Sequence, residues 1–330
     1  MNASAPLKHH LEQLRLELQH ELNHLHLPTH PQRLYEPIRY FLDLGGKRLR
    51  PVLSLLAAEL FGANREVAMG PAMAVELFHN FTLLHDDIMD EAPLRRGKPT
   101  VHEKYNRDVA ILSGDALMVL AYQQLLRAPA ATVPALLEAM NKVALEVCEG
   151  QQYDMDFQSR EDVTTPEYMR MIRLKTSVLL GAALQMGAIV AGASEGDQAR
   201  VYDFGVLTGL AFQVQDDLLD VFGDPAKFGK KPGGDILANK NTFLRVKAME
   251  VADEAGQLAL QSLYAAPNSE AKVQEVTHFF RQWGIRELAE AEMKLLLEQA
   301  FEQLEALEGV NENARQVLRA FAAYLIAREE

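Results

Sequence analysis

Apolar residues recur at intervals of three and four positions along most of the chain. Near the start these are Leu11, Leu14, Leu18, Leu22 and Leu25, and near the end they are Leu288, Leu295, Phe301 and Leu304. Side chains at this spacing lie on one face of an α-helix, whereas a half-buried strand alternates every second residue. No segment shows a convincing pair of strands. The pattern therefore predicts an all-α fold.

The breaks between the periodic segments are short. They fall at residues 27–31, 62–64, 93–99, 128–134, 194–196 and 223–234. None is long or polar enough to be a domain linker. We therefore predict one domain, residues 1–330, built as a helical bundle around a central cavity. Thr165-Pro166-Glu167 predicts a helix start, with Thr165 as the N-cap.

The longest apolar run, Val178–Ala193, is predicted to be a buried helix. It is interrupted by Gln185 and is shorter than the roughly 20 residues that a membrane span needs. Residues 1–10 lack the basic-then-apolar pattern of a secretory signal. The single cysteine, Cys148, excludes an internal disulfide and lies in an apolar stretch, which predicts burial. We expect a cytoplasmic protein without a membrane span.

Composition narrows the possible partners. Acidic residues outnumber basic ones, 46 against 33, which gives a net charge of −13. Proteins that follow nucleic-acid phosphates usually present a basic face, so we do not expect a nucleic-acid partner. An acidic chain still binds anions where its basic residues cluster or where it recruits metal cations.

Two acidic motifs stand out against the apolar helices. Each has the form Asp-Asp-x-x-Asp, and their members are Asp86, Asp87 and Asp90, then Asp216, Asp217 and Asp220. On a helix, the first and last Asp of each motif lie on one face. A single such motif is more often a solvated acidic face, but burying six carboxylates without cations is prohibitively costly. Such oxygen ligands suit Mg²⁺, which completes its shell with water and phosphate. The pair of motifs predicts a diphosphate held through metal ions.

Basic residues supply candidate contacts for phosphate. They are Lys47 and Arg50 after Gly45-Gly46, Arg95 and Arg96 before Gly97, and Lys175, Lys230 and Lys240. A backbone without Cβ atoms lets an anion approach closely, so the groups beside glycines are expected to face phosphate. Arg48 is interpreted as a surface residue.

These motifs together resemble the trans-isoprenyl (polyprenyl) diphosphate synthase family. The resemblance runs from Gly45 to about Lys240. Its motifs are Gly45-Gly46-Lys47-Arg48-Leu49-Arg50-Pro51, Asp86 to Asp90 with Arg95-Arg96-Gly97, Gly150-Gln151-x-x-Asp154, Lys175-Thr176, Phe212 to Asp220, and Gly229-Lys230-x-x-Gly233-x-Asp235. The resemblance implies a single-domain α-helical bundle of the isoprenoid synthase type with a deep central pocket, and a homodimer.

The resemblance also implies a role for each site residue. Three Mg²⁺ ions would be held by Asp86, Asp87, Asp90, Asp216, Asp217 and Asp220. The allylic diphosphate (dimethylallyl, geranyl or farnesyl) would contact Arg95, Lys175, Lys230 and Lys240. Isopentenyl diphosphate would be held without metal by Lys47, Arg50, His79 and Arg96. Oxygen atoms of Thr176 and Gln213 would face the developing allylic cation.

The implied reaction is a head-to-tail (1′-4) condensation. Cations stabilise the leaving diphosphate as its bond to carbon ionises. The double bond of isopentenyl diphosphate then attacks the allylic cation, and the released diphosphate is the expected base for the final proton. No protein nucleophile is needed.

Product length is expected to depend on the residues that precede the first Asp motif. Thr82 and Phe78 lie in one helical row beneath Asp86, at four and eight residues back. Phe81 lies off this row, but in the family an aromatic residue at its position is typical of a short product. We predict mainly a C20 product, as in geranylgeranyl diphosphate synthases, with C15 next. The alternative is that both phenylalanines only pack the core.

Four other functions are compatible with parts of this sequence. The nearest is a longer-chain polyprenyl diphosphate synthase. A class I terpene cyclase shares the first Asp motif, but typically has a mixed second motif. A di-iron bundle would use the Glu-x-x-His pairs Glu17/His20, Glu21/His24 and Glu76/His79, two of which overlap on one helix. A silent subunit usually lacks one Asp motif. Members of the family often end in basic residues that close over isopentenyl diphosphate. Here only Arg328 near the C-terminus is basic, so the sequence leaves open whether the chain end closes the site.

Overall fold

The computed structural model describes residues 5–224 and 232–326, with side chains from residue 9 onward. The α-helices, numbered in chain order, are α1 Ala5–Asn23, α2 Gln32–Asp43, α3 Leu49–Leu60, α4 Arg65–Met89, α5 Val101–Lys104, α6 Arg107–Leu125, α7 Val133–Phe157, α8 Thr165–Ile172, α9 Val178–Val190, α10 Glu195–Phe222, α11 Gly234–Leu237, α12 Phe243–Val251, α13 Glu254–Ala265, α14 Glu270–Gln282, α15 Ile285–Glu305 and α16 Glu312–Ile326. A 3₁₀ turn, Ala130–Thr132, precedes α7. The predicted all-α class is confirmed.

Two long helices, α4 and α10, are central to the bundle. Helix α4 packs against α3, α6 and α9, and α10 packs against α9 and α15. Every residue of α9 except Gln185 is buried, so the apolar run is the predicted core helix. The Asp motifs occupy the C-terminal turns of α4 and α10. Two long helices that pack centrally in the bundle therefore carry the acidic motifs.

Helix α4 is also apolar and long enough to cross a membrane, by length and composition alone. In the structure, 67% of its apolar window is buried inside the protein. A core helix passes the same test as a membrane helix, and α4 packs on three neighbours.

A five-residue π-helical turn, Arg173–Ser177, joins α8 to α9. Helix α7 lies directly against this turn because Gly150 has no side chain. A Cβ atom at Gly150 would lie 2.2 Å from the backbone nitrogen of Lys175. The close approach fixes the position of Lys175 and Thr176 within the turn.

Helix α8 begins one residue earlier than predicted. The N-cap is Thr164 rather than Thr165, and its Oγ1 accepts a hydrogen bond from the backbone N–H of Glu167. Glu167 accepts one in return from the backbone N–H of Thr164, at 2.9 Å. This reciprocal capping box decides between two adjacent threonines that look alike in the sequence.

A two-stranded antiparallel hairpin follows the first Asp motif, contrary to the prediction of no strand pair. Leu94–Arg95 pairs with Lys98–Pro99. The turn between them has positive φ at Arg96 (54°) and Gly97 (75°). Each strand has only two residues, too few to show an alternating pattern in the sequence.

Three apolar residues that were expected in the core lie on the surface. Cys148 is exposed, since the buried face of α7 is formed by Val143 and Val147, and Cys148 lies about 100° around the helix from Val147. Leu288 and Leu295 are exposed on α15. The buried face of α15 instead includes smaller or more flexible residues such as Ala289 and Met293, which the leucine spacing did not reveal.

Candidate active site

The first Asp motif ends helix α4 and has one buried member. Asp87 is buried and receives two hydrogen bonds from Nε of Arg95, at 2.8 and 2.9 Å, while Nη2 of Arg95 lies 2.7 Å from Oδ1. Asp90 is the exposed C-cap. Burial raises the pKa of Asp86 to about 6; Lys175 and Arg95 act in the opposite direction. The hairpin that follows the motif therefore places the Arg95 side chain against Asp87.

The second Asp motif, on α10, is arranged in the same way. Asp217 is buried and accepts hydrogen bonds from Tyr168 Oη (2.5 Å), from the backbone N–H of Phe243 (2.8 Å) and from Gln213 Nε2 (3.3 Å). Burial raises the pKa of Asp217 to about 7. Asp220 is half-buried and accepts from the backbone N–H of Asp235 at 3.0 Å. In both motifs the middle Asp is thus bound to protein groups.

The described residues contain no preformed cluster of three or more His, Cys, Asp or Glu side chains suited to a metal ion. The donor set nevertheless fits Mg²⁺. It consists of carboxylate oxygens, and burial makes a negative charge at Asp86 costly, which a nearby cation would offset. Mg²⁺ keeps waters and takes substrate phosphate oxygens as ligands, so the two motifs need not meet directly.

The glycine turn before α3 has an unusual backbone. The φ angles are +83° at Gly45, +146° at Gly46 and +52° at Arg48. Arg48 is buried, contrary to its prediction as a surface residue, and its Nη1 lies 2.5 Å from Glu76 of α4. Its Nη2 donates to the carbonyl of Leu42 at 2.9 Å. The Arg48–Glu76 pair therefore ties this turn to α4.

Oε1 of Glu76 is shared by two neighbours, Arg48 just before α3 and Asn80 on α4. Asn80 Nδ2 also donates to it, at 2.8 Å. The Glu76/His79 pair, which was considered as a di-iron element, is thus divided between two different partners. Glu76 binds Arg48, and His79 binds Arg50.

Arg50 and His79 form a second, partly buried contact between α3 and α4. Arg50 Nη1 lies 3.1 Å from His79 Nε2, and since arginine can only donate, His79 accepts. Burial lowers the pKa of Arg50 to about 10. Burial and four nearby arginines hold the pKa of His79 well below its usual value of 6.5. His79 is therefore neutral at pH 7.

A cavity of about 710 Å³ lies between the glycine turn, the middle of α4 and the second Asp motif. Its lining includes the four residues assigned to isopentenyl diphosphate, namely Lys47, Arg50, His79 and Arg96, and on the α10 side Gln213, Asp216, Asp217 and Asp220. Arg96 also contacts the carbonyl of Gly45. Glu76 and Asp235 also line the cavity. Neither was given a substrate-binding role from the sequence, although Asp235 ends one of the family motifs.

The remaining basic candidates lie near acidic partners. Lys175 Nζ is 2.5 Å from Asp154, and Lys240 Nζ is 3.3 Å from Asp235. Thr176, next to Lys175, is half-buried in the π-helical turn. Lys230 lies outside the described residues, as does Arg328.

Comparison with known proteins gives a consistent result. The family model for polyprenyl synthetase matches residues 31–282. A geranylgeranyl diphosphate synthase of Methanosarcina mazei is 38% identical and covers 91% of this chain and 91% of its own. A geranylfarnesyl diphosphate synthase of Natronomonas pharaonis is 36% identical, covering 95% and 96%. A crystal structure of geranylgeranyl pyrophosphate synthase, 44% identical, superposes over 100% of both chains with a TM-score of 0.92.

The chain belongs to the polyprenyl synthetase family. The resemblance stated from the sequence motifs is confirmed, and so is the predicted enzyme class, a prenyltransferase. The match covers the glycine turn and the helices that carry both Asp motifs. It therefore includes every residue that lines the cavity.

The residues predicted to set the product length differ in burial. Phe78 is 1% exposed, so it packs into the core of the synthase. Phe81 and Thr82 are only half-buried. The ring of Phe81 packs between Phe78, at 5.5 Å, and His85, at 4.7 Å between ring centroids. Phe81 therefore keeps some exposure near the first Asp motif, whereas Phe78 does not.

Proposed function

We propose that this protein condenses isopentenyl diphosphate with an allylic diphosphate in a Mg²⁺-dependent 1′-4 reaction, and that its main product is the C20 all-trans diphosphate. One observation carries the proposal. A single cavity has a cationic wall, formed by Lys47, Arg50 and Arg96, opposite the Asp-rich wall of α10. Such a cavity suits one diphosphate bound by basic side chains and one bound through metal ions.

The cationic wall is suited to isopentenyl diphosphate. Arg50 and Arg96 keep their charge although desolvation lowers the pKa of both, and reduced solvation strengthens the attraction of a cation for an anion. Neutral His79 orients the guanidinium of Arg50 without adding a charge of its own. Arg48 also lines the cavity, but its Nη1 and Nη2 already donate to Glu76 and to the carbonyl of Leu42, so we assign it no contact with this substrate.

The opposite wall is suited to the allylic diphosphate. Asp86, Asp90, Asp216 and Asp220 would hold Mg²⁺, for which we propose three ions, while Asp87 and Asp217 orient Arg95 and Gln213. When bound, Mg²⁺ supplies positive charge to the leaving diphosphate. Because Gln213 Nε2 donates to Asp217, its Oε1 is the amide atom that can face a developing cation. Thr176 adds a hydroxyl oxygen, and Lys175 and Lys240 add cations to the same site.

The reaction proceeds without a covalent protein intermediate. The bond between C1 and oxygen of the allylic substrate breaks, and its electron pair leaves with diphosphate. The double bond of isopentenyl diphosphate then forms the new carbon–carbon bond to C1. Loss of one proton, which we assign to the released diphosphate as base, restores a double bond and gives an allylic diphosphate five carbons longer.

The relatives support C20 as the main product and leave C25 as a neighbouring possibility. The half-buried ring of Phe81 supports a short product, since a bulky residue close to the first Asp motif limits the chain. We retain C15 as the second choice. We also propose that the protein is cytoplasmic and a homodimer. The dimer is supported by an exposed apolar stripe on α6, formed by Leu112, Val119 and Leu126.

A product assay tests this function. Purified protein is incubated with isopentenyl diphosphate, Mg²⁺ and each allylic diphosphate in turn, and the products are sized. We expect mainly C20 diphosphate and no turnover in EDTA. Asp86→Ala and Asp216→Ala are expected to lower kcat by about 10²-fold or more at constant helical content. Glu298→Ala, which removes an exposed carboxylate of α15, serves as the control. Turnover in EDTA, or products of C30 and longer, would contradict the proposal.

A further inference from the structure

Lys272, near the start of α14, is a buried lysine that the site described above does not use. Its side chain is 2% exposed. Its Nζ, with three N–H donors, lies within hydrogen-bond distance of four oxygen atoms, which are Asn239 Oδ1 (2.7 Å), the carbonyl of Tyr264 (2.8 Å), the carbonyl of Ala266 (3.2 Å) and Asn268 Oδ1 (3.3 Å). All four acceptors are neutral amide or peptide oxygens.

A buried lysine bound to neutral acceptors is uncommon, because the ammonium group loses its hydration without gaining a counter-ion. Burial accordingly lowers the pKa of Lys272. Three of its four acceptors lie within eight residues of it in the chain and only close the turn between α13 and α14. The shortest contact, to Asn239, is different, since it joins a separate segment 33 residues away.

Asn239 is held at both ends. Its φ is +54°, in the left-handed region that asparagine tolerates better than most residues. Lys272 binds its side chain, and Arg245 Nη1 donates to its carbonyl at 2.7 Å. The peptide between Asn239 and the next residue therefore has a defined orientation.

The next residue is Lys240, one of the cations assigned to the allylic diphosphate. Its backbone N–H donates to the carbonyl of Asp235 at 3.0 Å, and its Nζ lies 3.3 Å from Asp235 Oδ1. Asp235 lines the cavity, and its own backbone N–H donates to Asp220 of the second Asp motif. A continuous series of contacts thus leads from Lys272, through Asn239 and Lys240, to the acidic wall of the cavity.

We propose that Lys272 is a positioning residue for the allylic diphosphate site: by fixing the left-handed turn at Asn239, it sets the direction in which Lys240 meets the diphosphate. This inference rests on the proposed function. The effect should be confined to the allylic substrate. Isopentenyl diphosphate is assigned to Arg50 and His79 on α3 and α4, whereas the hydrogen bonds of Lys272 lead to Asn239 and to the turn before α14.

Steady-state kinetics of Lys272→Met test the inference. Methionine has a similar length and no charge, so it removes the tether with little change in volume. We expect the KM for the allylic diphosphate to rise about tenfold, which corresponds to the loss of one charged hydrogen bond between Lys240 and the diphosphate. The KM for isopentenyl diphosphate should change less than about twofold. Lys294→Met makes the same substitution at an exposed position of α15 and is expected to behave like the wild type.

A purely structural role for Lys272 predicts a different result. It would lower the melting temperature and the amount of active protein, and so reduce kcat per total protein, with both KM values unchanged. Equal changes in the two KM values, or no change in either, would overturn the inference. Absence of prenyl transfer by the wild type would instead overturn the proposed function, so the two failures are distinguishable.

A second variant covers the case in which Lys272→Met does not fold. Asn239→Gly retains the left-handed backbone and loses only the tether, so it should show the same selective rise in the allylic KM. If both variants fold, their effects should not add in the double variant, since each breaks the same contact. Additive effects would contradict the inference.

Direct binding supplies a readout that does not depend on turnover. Inorganic diphosphate with Mg²⁺ should raise the melting temperature of the wild type and of Lys294→Met. The rise should be smaller for Lys272→Met and Asn239→Gly, because weaker binding gives less stabilisation at the same concentration. An undiminished rise in both tether variants would count against the role of Lys272.

Discussion

Asp87 and Asp217 share an environment that separates them from the other carboxylates of their motifs. Each is buried, and each is held by groups that lie outside its own helix, Arg95 in one case and Tyr168 in the other. On a helix the residue after the first Asp is rotated by about 100°, away from the face shared by the first and last Asp. The middle carboxylate is therefore turned toward neighbouring protein groups, although on α10 all three carboxylates of the motif line the cavity.

Arg48 illustrates how costly such buried charges are when their partners are removed. Replacing it by methionine leaves Glu76 buried and without its guanidinium partner. We expect Arg48→Met to lower the free energy of unfolding by about 3–5 kcal/mol, measured by urea denaturation. The KM for isopentenyl diphosphate should also rise, because Arg48 fixes the turn that carries Lys47.

The matched control for Arg48 is the double variant Arg48→Met with Glu76→Gln. Glutamine keeps the shape of the side chain and removes the unpaired charge. We expect the double variant to be more stable than Arg48→Met alone, since the largest part of the loss is the uncompensated carboxylate. Equal stability of the two variants would mean that the pair contributes little beyond packing.

His79 gives a prediction about pH. Its pKa in the folded protein lies well below 6.5, so the unfolded chain takes up a proton first as the pH falls. Stability is therefore lost below about pH 6.5, by up to about 1.4 kcal/mol per pH unit while only the unfolded form is protonated. The raised pKa values of Asp86 and Asp217 act in the opposite direction, because the folded protein takes up these protons before the unfolded chain does. This contribution is common to the wild type and the variants.

The pH term is isolated by comparing the wild type with His79→Gln. The difference in their free energies of unfolding should shrink or reverse in favour of the variant between pH 7.5 and pH 5.5. The control is His85→Gln, because this partly exposed histidine lies near Asp115 rather than among arginines. A constant difference across this range would show that His79 has an ordinary pKa.

At the scale of single elements, α4 combines a core helix with the catalytic face. Its inward residues pack on α3, α6 and α9, while Phe81 and Thr82 remain half-buried and lead to Asp86. A helix held on three sides moves little when one exposed side chain is shortened. The length of the product should therefore respond to side-chain size along one face of α4 rather than to movement of the whole helix.

This reasoning makes opposite predictions for the two phenylalanines of α4. Phe81→Ala should lengthen the product beyond C20, because it removes a partly accessible ring near the first Asp motif. Phe78→Ala should leave the product distribution unchanged and lower the free energy of unfolding by about 3–5 kcal/mol, since its ring is fully buried. Products are sized by chromatography. Longer products from Phe78→Ala alone would restore the simple helical row predicted from the sequence.

The elements predicted correctly from the sequence depend on local signals. Helix α9 and the Asp motifs of α4 and α10 are defined by residues within four positions of one another. The groups that were missed depend on distant contacts. Arg48 meets Glu76 across 28 residues, Tyr168 meets Asp217 across 49, and Lys272 meets Asn239 across 33. A lone Arg, Tyr or Lys looks the same in a sequence whether it is buried or solvated.

At the scale of the whole molecule, one surface of the bundle carries an apolar stripe. Leu112, Val119 and Leu126 are spaced seven residues apart along α6 and its C-terminal end, and they are 59%, 58% and 68% exposed. The neighbouring helix α7 adds Leu145, which is 67% exposed. Residues seven apart lie on one face of a helix, as in helices that pair with each other. A two-fold symmetric contact between two copies would bury this stripe on both.

The proposed homodimer is tested by placing a charge in the stripe. The wild type should behave in light scattering as twice the chain mass of 36.9 kDa. Val119→Glu, alone or with Leu112→Glu, should shift the protein to the monomer, because two carboxylates would be desolvated at a symmetric contact. Leu258→Glu makes the same change at an equally exposed leucine of α13 and should leave the mass unchanged. A dimer that persists in the Val119 and Leu112 variants, or that dissociates in Leu258→Glu, would place the interface elsewhere on the molecule.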